Sequence, residues 1–449
     1  MDKNYLTEPE RKIEIVDSAD VIVSGGGPAG VAAAISAARE GVSVILLERY
    51  GYLGGLATGG LVILIPHLSD GSQQLQIRGF CEEVIKKLDE VDGALHPNWD
   101  EIGSDDPNLI QKWLPYFSVV VEGKIRMSVY VDPEKLKCIL SKLIADAGVK
   151  LYLHSLVCGV VTKDNKIEGL IFESKEGRKG ITGKVIIDTT GDGDILASAG
   201  EDYVTFDPYD QTVRSSTVAL VFRLGNVNTE KFIEFVQSNR DIYTSLMQEL
   251  EKNIGFRALP MLSWREDVVW VNNWLLGINP LVVRDLTKAE LLLRDSMLKI
   301  LDFLKKKLPG FQKAYVIDSA SQLGIRGSRR LIGKYVFSKE DVFSGGKHPD
   351  TIAVFPSITH NTSKEHPLVY LPLRCLLPKR IENLIVAGRC FSSDKFANDL
   401  FNLIPHCIAM GQAAGVTAAI AVKEGVNVQN VDHSKVKERL KFQGVFLGE

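Results

Sequence analysis

The sequence predicts an α/β fold: a Rossmann-like, largely parallel sheet with a β-meander insertion, joined to a second, mixed α+β region. Three observations carry this. An apolar run, a three-glycine turn and an alanine-rich stretch follow one another at 20–40, and a second apolar run occupies 42–47. Residues 156–184 alternate apolar and polar between turn-forming stretches. Residues 206–375 mix strand-like and helix-like patterns with no internal repeat.

Asp20 to Ser24 reads as a short buried strand, Pro28 to Glu40 as a helix closed by Gly41, and Val42 to Leu47 as a second strand ending at Glu48. In this β-α-β unit Gly25 allows the tight turn, Gly27 lets a phosphate reach the backbone, and Gly30 lets the helix lie on the strand. The helix N-terminus offers free N–H groups and a positive dipole end to a pyrophosphate. Glu48, 18 residues after Gly30, can accept bonds from both ribose hydroxyls. These residues predict an adenosine dinucleotide. The glycine-rich loop that follows, Tyr50 to Gly60, lets the backbone track an extended cofactor past its pyrophosphate, which favours FAD over NAD.

Asp132-Pro133-Glu134 starts a helix, 150–154 is a third strand, and 156–184 reads as a three-stranded meander. Val185 to Asp188 is a strand entering the acidic turn Thr189 to Asp194. A strand at Thr217–Leu224, a helix at Lys288–Leu308 and a turn-rich stretch at 344–367 follow. Asn383 to Ala387 is a strand ending on Gly388, before a long helix that starts at Pro405. The expected organisation is a discontinuous cofactor domain at 18–205 and 376–430 and a substrate or cap domain at 206–375. Residues 60–128 are a possible lid, and 93–108 read as a surface loop.

Composition sets bounds on function. The formal net charge is −3 and no Lys/Arg run reaches five, so nothing points to nucleic acid. The six cysteines include no C-x-x-C pair, which argues against zinc, an iron–sulfur cluster or a local dithiol. No metal site is expected. The N-terminal residues are polar and no uninterrupted apolar run approaches membrane-spanning length, so a cytoplasmic protein without a membrane span is expected.

The ordered motifs resemble FAD-dependent oxidoreductases of the glutathione-reductase superfamily, with distant similarity to fumarate-reductase flavoproteins. The resemblance spans roughly residues 18–205 and 320–425. It implies that Gly25, Gly27, Pro28, Ala29, Gly30 and Glu48 bind adenosine and pyrophosphate. By the same resemblance Arg49, Gly55, Leu56, Ala57 and Thr58 line the cofactor, Val157 flanks adenine, and Thr190, Gly191 and Asp192 make a second contact. Gly388, Arg389, Leu403 and Ile404 would approach the ribityl chain and ring. The chain departs from the family pattern at Gly327, Asp394 and Asn402, where a glutamate, a histidine and an arginine commonly stand.

Flavin carries the electron chemistry, so the protein positions substrate and moves protons. Arg326, Arg329 and Arg330 form a cationic cluster that suits either domain-boundary salt bridges or an anionic ligand, and Arg326, after a strand end, is the candidate anchor. His360, Tyr370 and Arg374 are candidate catalytic groups, partly by resemblance, against a purely structural role. Trp264, Trp270 and Trp274 are either core or an aromatic wall. Cys390 reads as inert, for want of a resolving partner. The expected function is hydride transfer between a small polar, anionic metabolite and FAD. A flavin monooxygenase, or an FAD-bearing subunit serving a partner protein, remains the alternative, although a W-x-W-x-I-P halogenase motif is absent. The expected partner is a small-molecule substrate; a protein partner or homo-oligomer stays open.

Overall fold

The computed structural model describes residues 6, 8–356 and 367–448. Five helices build the site: α1 (Pro28–Arg39), α2 (Pro107–Trp113), α3 (Thr229–Ser238), α4 (Arg240–Ile254) and α5 (Ile404–Glu424).

The main sheet has seven strands. They include β1 (Ile15–Ser24), β2 (Val44–Leu47), β3 (Lys150–Tyr152), β4 (Leu156–Lys163), β5 (Lys166–Ser174) and β6 (Gly177–Asp188). Their order is β3-β2-β1-β6-β5-β4, and the Leu384–Val386 strand also pairs with β6. β3, β2, β1, β6 and the last strand run parallel, whereas β6, β5 and β4 are antiparallel. The sequence places the meander and the Val185–Asp188 strand apart; they share β6. Its first half pairs with β5 at Gly177–Ile181, and its last residues pair with Leu384–Val386.

Val21, Ile22 and Val23 of β1 are fully buried, as central strands of a doubly covered sheet require. The register aligns Ser24 with Leu47 and with Asp188, and Asp188 with Val386. The glycine turn, Glu48, the acidic turn and Gly388 therefore leave the sheet along one edge, where open α/β sheets bind ligands.

α1 and α5 cross at very short range. A Cβ at Gly411 would lie 2.0 Å from the Ala29 carbonyl oxygen, and one at Gly415 would lie 2.2 Å from that of Ala33. Small residues on both helices set this approach, and it brings the N-termini of α1 and α5 to the same edge. Among the described residues α5 is the one helix long and apolar enough to cross a membrane, and 94% of its apolar window is buried inside the protein.

A four-stranded antiparallel sheet stands over that edge: β7 (Phe222–Gly225), β8 (Arg257–Leu262), β9 (Val269–Trp274) and β10 (Tyr315–Ser319), in the order β8-β9-β7-β10.

Four local expectations need correction. The strand expected over Thr217–Leu224 is broken into Val218–Ala219 and β7, because the buried Asn273 amide clamps the gap. It accepts from Leu220 N at 3.0 Å and donates to Leu220 O at 2.7 Å. The turn-rich stretch contains a fully buried strand, Thr351–Phe355, paired with Val369–Pro372. The 93–108 loop holds a short strand, Ala94–Leu95, and runs into α2, whose N-terminus Asp106 caps through Asn108 N at 2.7 Å. The Lys288–Leu308 helix starts earlier, at Val283.

Candidate cofactor and substrate site

The glycine turn is fixed by close approach. Gly25 has φ +105°, and a Cβ there would lie 2.5 Å from the Thr189 carbonyl oxygen. A Cβ at Gly30 would lie 1.7 Å from the Gly25 carbonyl oxygen. Thr189 Oγ1 pins the turn by donating to Ser24 O at 2.9 Å and Gly25 O at 2.8 Å. Gly27 differs from both: a Cβ there would meet no atom within 4 Å. Its side faces an open cradle at the start of α1, where no side chain caps the helix and Pro28 opens the first turn ahead of Ala29.

Glu48 leaves β2 with its carboxylate buried. Oε2 accepts from Gly26 N at 2.6 Å and Oε1 from Tyr50 N at 2.8 Å. Burial raises its pKa above the ordinary glutamate value, against the pull of those two N–H groups. Each oxygen keeps a lone pair free for a ribose hydroxyl. Ser155 N donates to Glu48 O at 2.9 Å, so the start of β4, with Val157, lies beside this end of the crevice. Arg49 turns back over the Tyr50 ring at 4.9 Å.

The 53–58 loop folds over the glycine turn. Gly54 N donates to Gly26 O at 2.8 Å, and a Cβ at Gly55 would come within 3.0 Å of Gly27 Cα. Leu56 faces the large cavity described below, while Ala57 is packed inside. The Thr58 hydroxyl donates to Leu53 O at 2.6 Å and closes the loop on itself.

In the acidic turn Thr190 Oγ1 donates to the Asp188 carboxylate at 2.7 Å. Arg389 lies across Gly191, meeting Asp192 Oδ1 at 3.0 Å and Ser328 Oγ at 3.3 Å. Burial works against the Asp192 anion, but Arg389, Ser328 and Arg49 together hold its pKa below the usual value. The charge of Arg389 is therefore matched by Asp192. Gly388 (φ +94°) abuts Ala29 at the α1–α5 crossing. Leu403 precedes α5 with no side-chain cap, so the first N–H groups of that helix are open at the crevice.

An adenosine dinucleotide fits these residues: an open cradle at Gly27, two uncapped helix N-termini, and a buried carboxylate spaced for ribose.

From Leu403 and Ile404 a cavity of about 1830 Å³ runs out between the four-stranded sheet, the α3–α4 pair and the 60–122 segment. Ordinary small-ligand pockets hold roughly 300–1,000 Å³. The cavity has room for the flavin ring beside Leu403 and Ile404 and for a substrate beyond it.

Arg326 lines the cavity's inner end. Its guanidinium donates to Thr217 Oγ1 at 3.0 Å, Asn272 Oδ1 at 2.8 Å and Asn273 O at 2.9 Å, and it stacks over Trp274 at 5.2 Å. All three acceptors are neutral, and among the described residues no carboxylate oxygen comes within 4 Å. Burial, and then the neighbouring Arg214, push its pKa down, with Asp399 acting weakly the other way. Arg329 and Arg330 have other duties: Arg329 pairs with Asp194 at 2.9 Å, and Arg330 donates to Ser393 O at 2.6 Å.

Tyr370 and Arg374 lie away from this cavity. Arg374 pairs with Asp350 at 3.0 Å and stacks on Tyr335, and Tyr370 is buried on the Val369–Pro372 strand under Lys347. The antiparallel pairing with Thr351–Phe355 points them there. His360 lies outside the described residues. Trp270 is core and wall at once: it is 2% exposed, donates to Leu262 O at 2.9 Å and lines the cavity with Trp274. Trp264 packs under Arg223 instead. Cys390 is fully buried and its thiol pKa is driven up by burial.

His67 and Arg214 were missed by sequence reasoning. His67 is 3% exposed, lines the cavity and has φ +59°, a left-handed conformation uncommon in non-glycine residues. Ser128 Oγ accepts from its backbone N at 3.1 Å, and Ser118 Oγ lies 3.2 Å from its Nδ1. Leu61, Ser118 and Glu122 of the same segment also have positive φ, and such strain gathers at functional sites. Arg214 donates to Asp399 O at 2.6 Å and to Asn402 Oδ1 at 2.7 Å. A lone histidine after a short apolar run carries no signal of its own, and Arg214 stands in no motif.

A family model described as FAD dependent oxidoreductase matches residues 20–440. A thiamine thiazole synthase of Methanococcus maripaludis (strain C5) is 27% identical over 191 residues, covering 40% of this chain and 58% of that protein. The vinyl phenol reductase of Lactiplantibacillus plantarum is 35% identical over 113 residues, covering 24% and 22%. The chain thus matches less than two thirds of the length of these relatives. A solved geranylgeranyl bacteriochlorophyll reductase-like protein of Thermoplasma acidophilum superposes with a TM-score of 0.47 at 14% identity, covering 95% of this chain and 83% of that one.

Proposed function

The chain belongs to the FAD dependent oxidoreductase family, and from that premise we propose that it passes a hydride between FAD and an anion-bearing substrate anchored by Arg326. FAD, when bound, supplies the hydride acceptor or donor. The observation that carries the proposal is the state of Arg326: a half-buried guanidinium whose hydrogen-bond acceptors are all neutral, at the inner end of the large cavity. A carboxylate or phosphate there gains a charge-assisted, geometrically directed bond and relieves the cost of the buried cation.

Each residue then has a task. Gly27, the α1 N-terminus and Glu48 hold the dinucleotide, and Leu403 and Ile404 bound the cavity where α5 begins. Arg326 fixes one end of the substrate, with Thr217, Asn272 and Asn273 holding its fork in one orientation. Trp274 covers the guanidinium and excludes water from it. His67, which lines the cavity with its imidazole 3.2 Å from Ser118 Oγ, takes or returns the proton that accompanies the hydride. Residues 206–375 supply most of the substrate-facing wall.

The test is anaerobic. The holoenzyme is mixed with a panel of organic acids and their dehydrogenated counterparts, and the visible flavin band is followed. A member of the panel is expected to bleach or restore the band, and Arg326→Ala is expected to abolish that response at normal flavin content. A response undiminished in Arg326→Ala contradicts the assignment.

A further inference from the structure

We infer that the substrate is an amphiphile, with an anionic head on Arg326 and an elongated apolar body reaching along the cavity toward the α3–α4 pair. This rests on the anchoring role proposed for Arg326 and adds the substrate class.

The cavity's composition changes with distance from Arg326. Asn272, Asn402 and Thr217 surround the head position, and Arg326 itself is the cation. Beyond them β9 leads to β8 by direct pairing, with Pro260 opposite Val271 and Met261 opposite Trp270. β8 packs in turn against α4. Along this path most of the wall is apolar, with Trp270, Leu259 and Met261 on the sheet and Phe232, Ile233 and Val236 on α3, while Arg257 of β8, stacked over Trp274, and Tyr243 of α4 add polar groups. Phe232, Ile233 and Val236 fall at helical spacing, so a single face of α3 serves the cavity. The 60–122 segment adds Leu64, Val121 and Phe117, together with the polar His67, Gln111 and Glu122. Polar groups return at the rim, with Gln237, Arg240 and Glu251.

Two features distinguish this from ordinary core. Leu114 is 56% exposed although it lines the cavity, so apolar surface there is wetted. The cavity is also large, at about 1830 Å³, although the part beside Leu56, Arg389, Leu403 and Ile404 is where the flavin ring would lie. Water in so apolar a passage is displaced favourably by a hydrocarbon body. A charged metabolite without such a body would leave most of the wall unmatched. Of the arginines at the inner end, Arg214 pairs with Asp399 and Arg389 with Asp192, so Arg326 gives the ligand its direction: head inward beside α5, body outward.

The experiment is calorimetric titration of the FAD-loaded full chain with butanoate, hexanoate, octanoate and decanoate, and with octanol as a neutral control. Affinity is expected to rise by up to about fourfold for each added methylene, the factor that burying a CH2 provides. Octanoate is expected to bind at least about tenfold tighter than octanol, as a charge-assisted bond implies. Val236→Asp, on the cavity face of α3, is expected to remove the chain-length dependence while leaving butanoate binding unchanged. Val236→Trp, which fills the passage without adding charge, should do the same. Equal affinity for butanoate and decanoate overturns the inference and leaves the Arg326 anchor standing. Equal affinity for octanol and octanoate overturns the head assignment, and with it the anchoring role.

Discussion

Asn402 donates its side-chain amide to the Arg326 carbonyl at 3.2 Å, tying the candidate anchor to the residue that leads into α5. The same side chain accepts from Arg214 Nη2 at 2.7 Å and donates to Ser215 Oγ at 2.9 Å. Position of the cation and position of the helix N-terminus are therefore one variable. Asn402→Ala should loosen both arginines and weaken octanoate binding roughly tenfold, the effect of a lost bond to a charged group. Flavin content should stay normal. Calorimetry with parallel flavin quantitation measures both.

Gly27 and Gly30 should respond oppositely to alanine. At Gly27 the added methyl enters open space in the folded chain but occupies the phosphate cradle. Gly27→Ala should melt normally and lose its flavin on dilution. At Gly30 the methyl would sit 1.7 Å from Gly25 O, so Gly30→Ala should reduce folding yield or melting temperature before any binding question arises. Circular dichroism melts and released-flavin fluorescence separate the two outcomes.

Glu48 links flavin retention to acidity. Burial raises its pKa above 4.5, and the carboxylate form is the one that accepts from Gly26, Tyr50 and ribose. Protonation on lowering the pH removes acceptors, so retention is complete above the raised pKa and is lost as pH falls through it. Flavin should therefore be released progressively as the pH is lowered into the carboxylate range. Glu48→Gln should bind FAD more weakly at neutral pH, because its amide N–H must face a backbone N–H. The expected cost is about 1–3 kcal/mol.

His67→Asn keeps the left-handed backbone, which asparagine tolerates, and removes the imidazole. Turnover should fall by roughly 10²–10⁴-fold, with the limb of the pH profile nearest neutrality abolished. Butanoate affinity should be unchanged. A purely structural role for His67 would leave the shape of the pH profile intact.

Arg374→Ala should behave as a stability variant. It strips Asp350, only 6% exposed, of its ion pair, so the melting temperature should drop. Octanoate affinity and flavin content should match the parent protein.

The cofactor half of the site was legible because its signals are local. Gly25, Gly27, Gly30 and Glu48 lie within one β-α-β unit, and each glycine's duty follows from its place in that turn. The substrate half was not, because its meaning is set by long-range pairing. Arg326, Arg329 and Arg330 look alike in sequence, and only the fold delivers Asp194 to Arg329 and leaves neutral acceptors to Arg326. His67 is held in its conformation by Ser118 and Ser128, more than fifty residues away. The Thr351–Phe355 strand was hidden by flanking glycine and proline, and the break before β7 depends on an asparagine two strands distant in sequence.

The most direct test of the account is a difference-spectrum titration of the oxidised holoenzyme with octanoate, comparing the parent chain with Arg326→Ala at equal flavin content. The account predicts a saturable perturbation of the visible flavin band in the parent chain and none over the same range in Arg326→Ala, because the anion is held beside the start of α5. A perturbation with the same amplitude and midpoint in both proteins would contradict it.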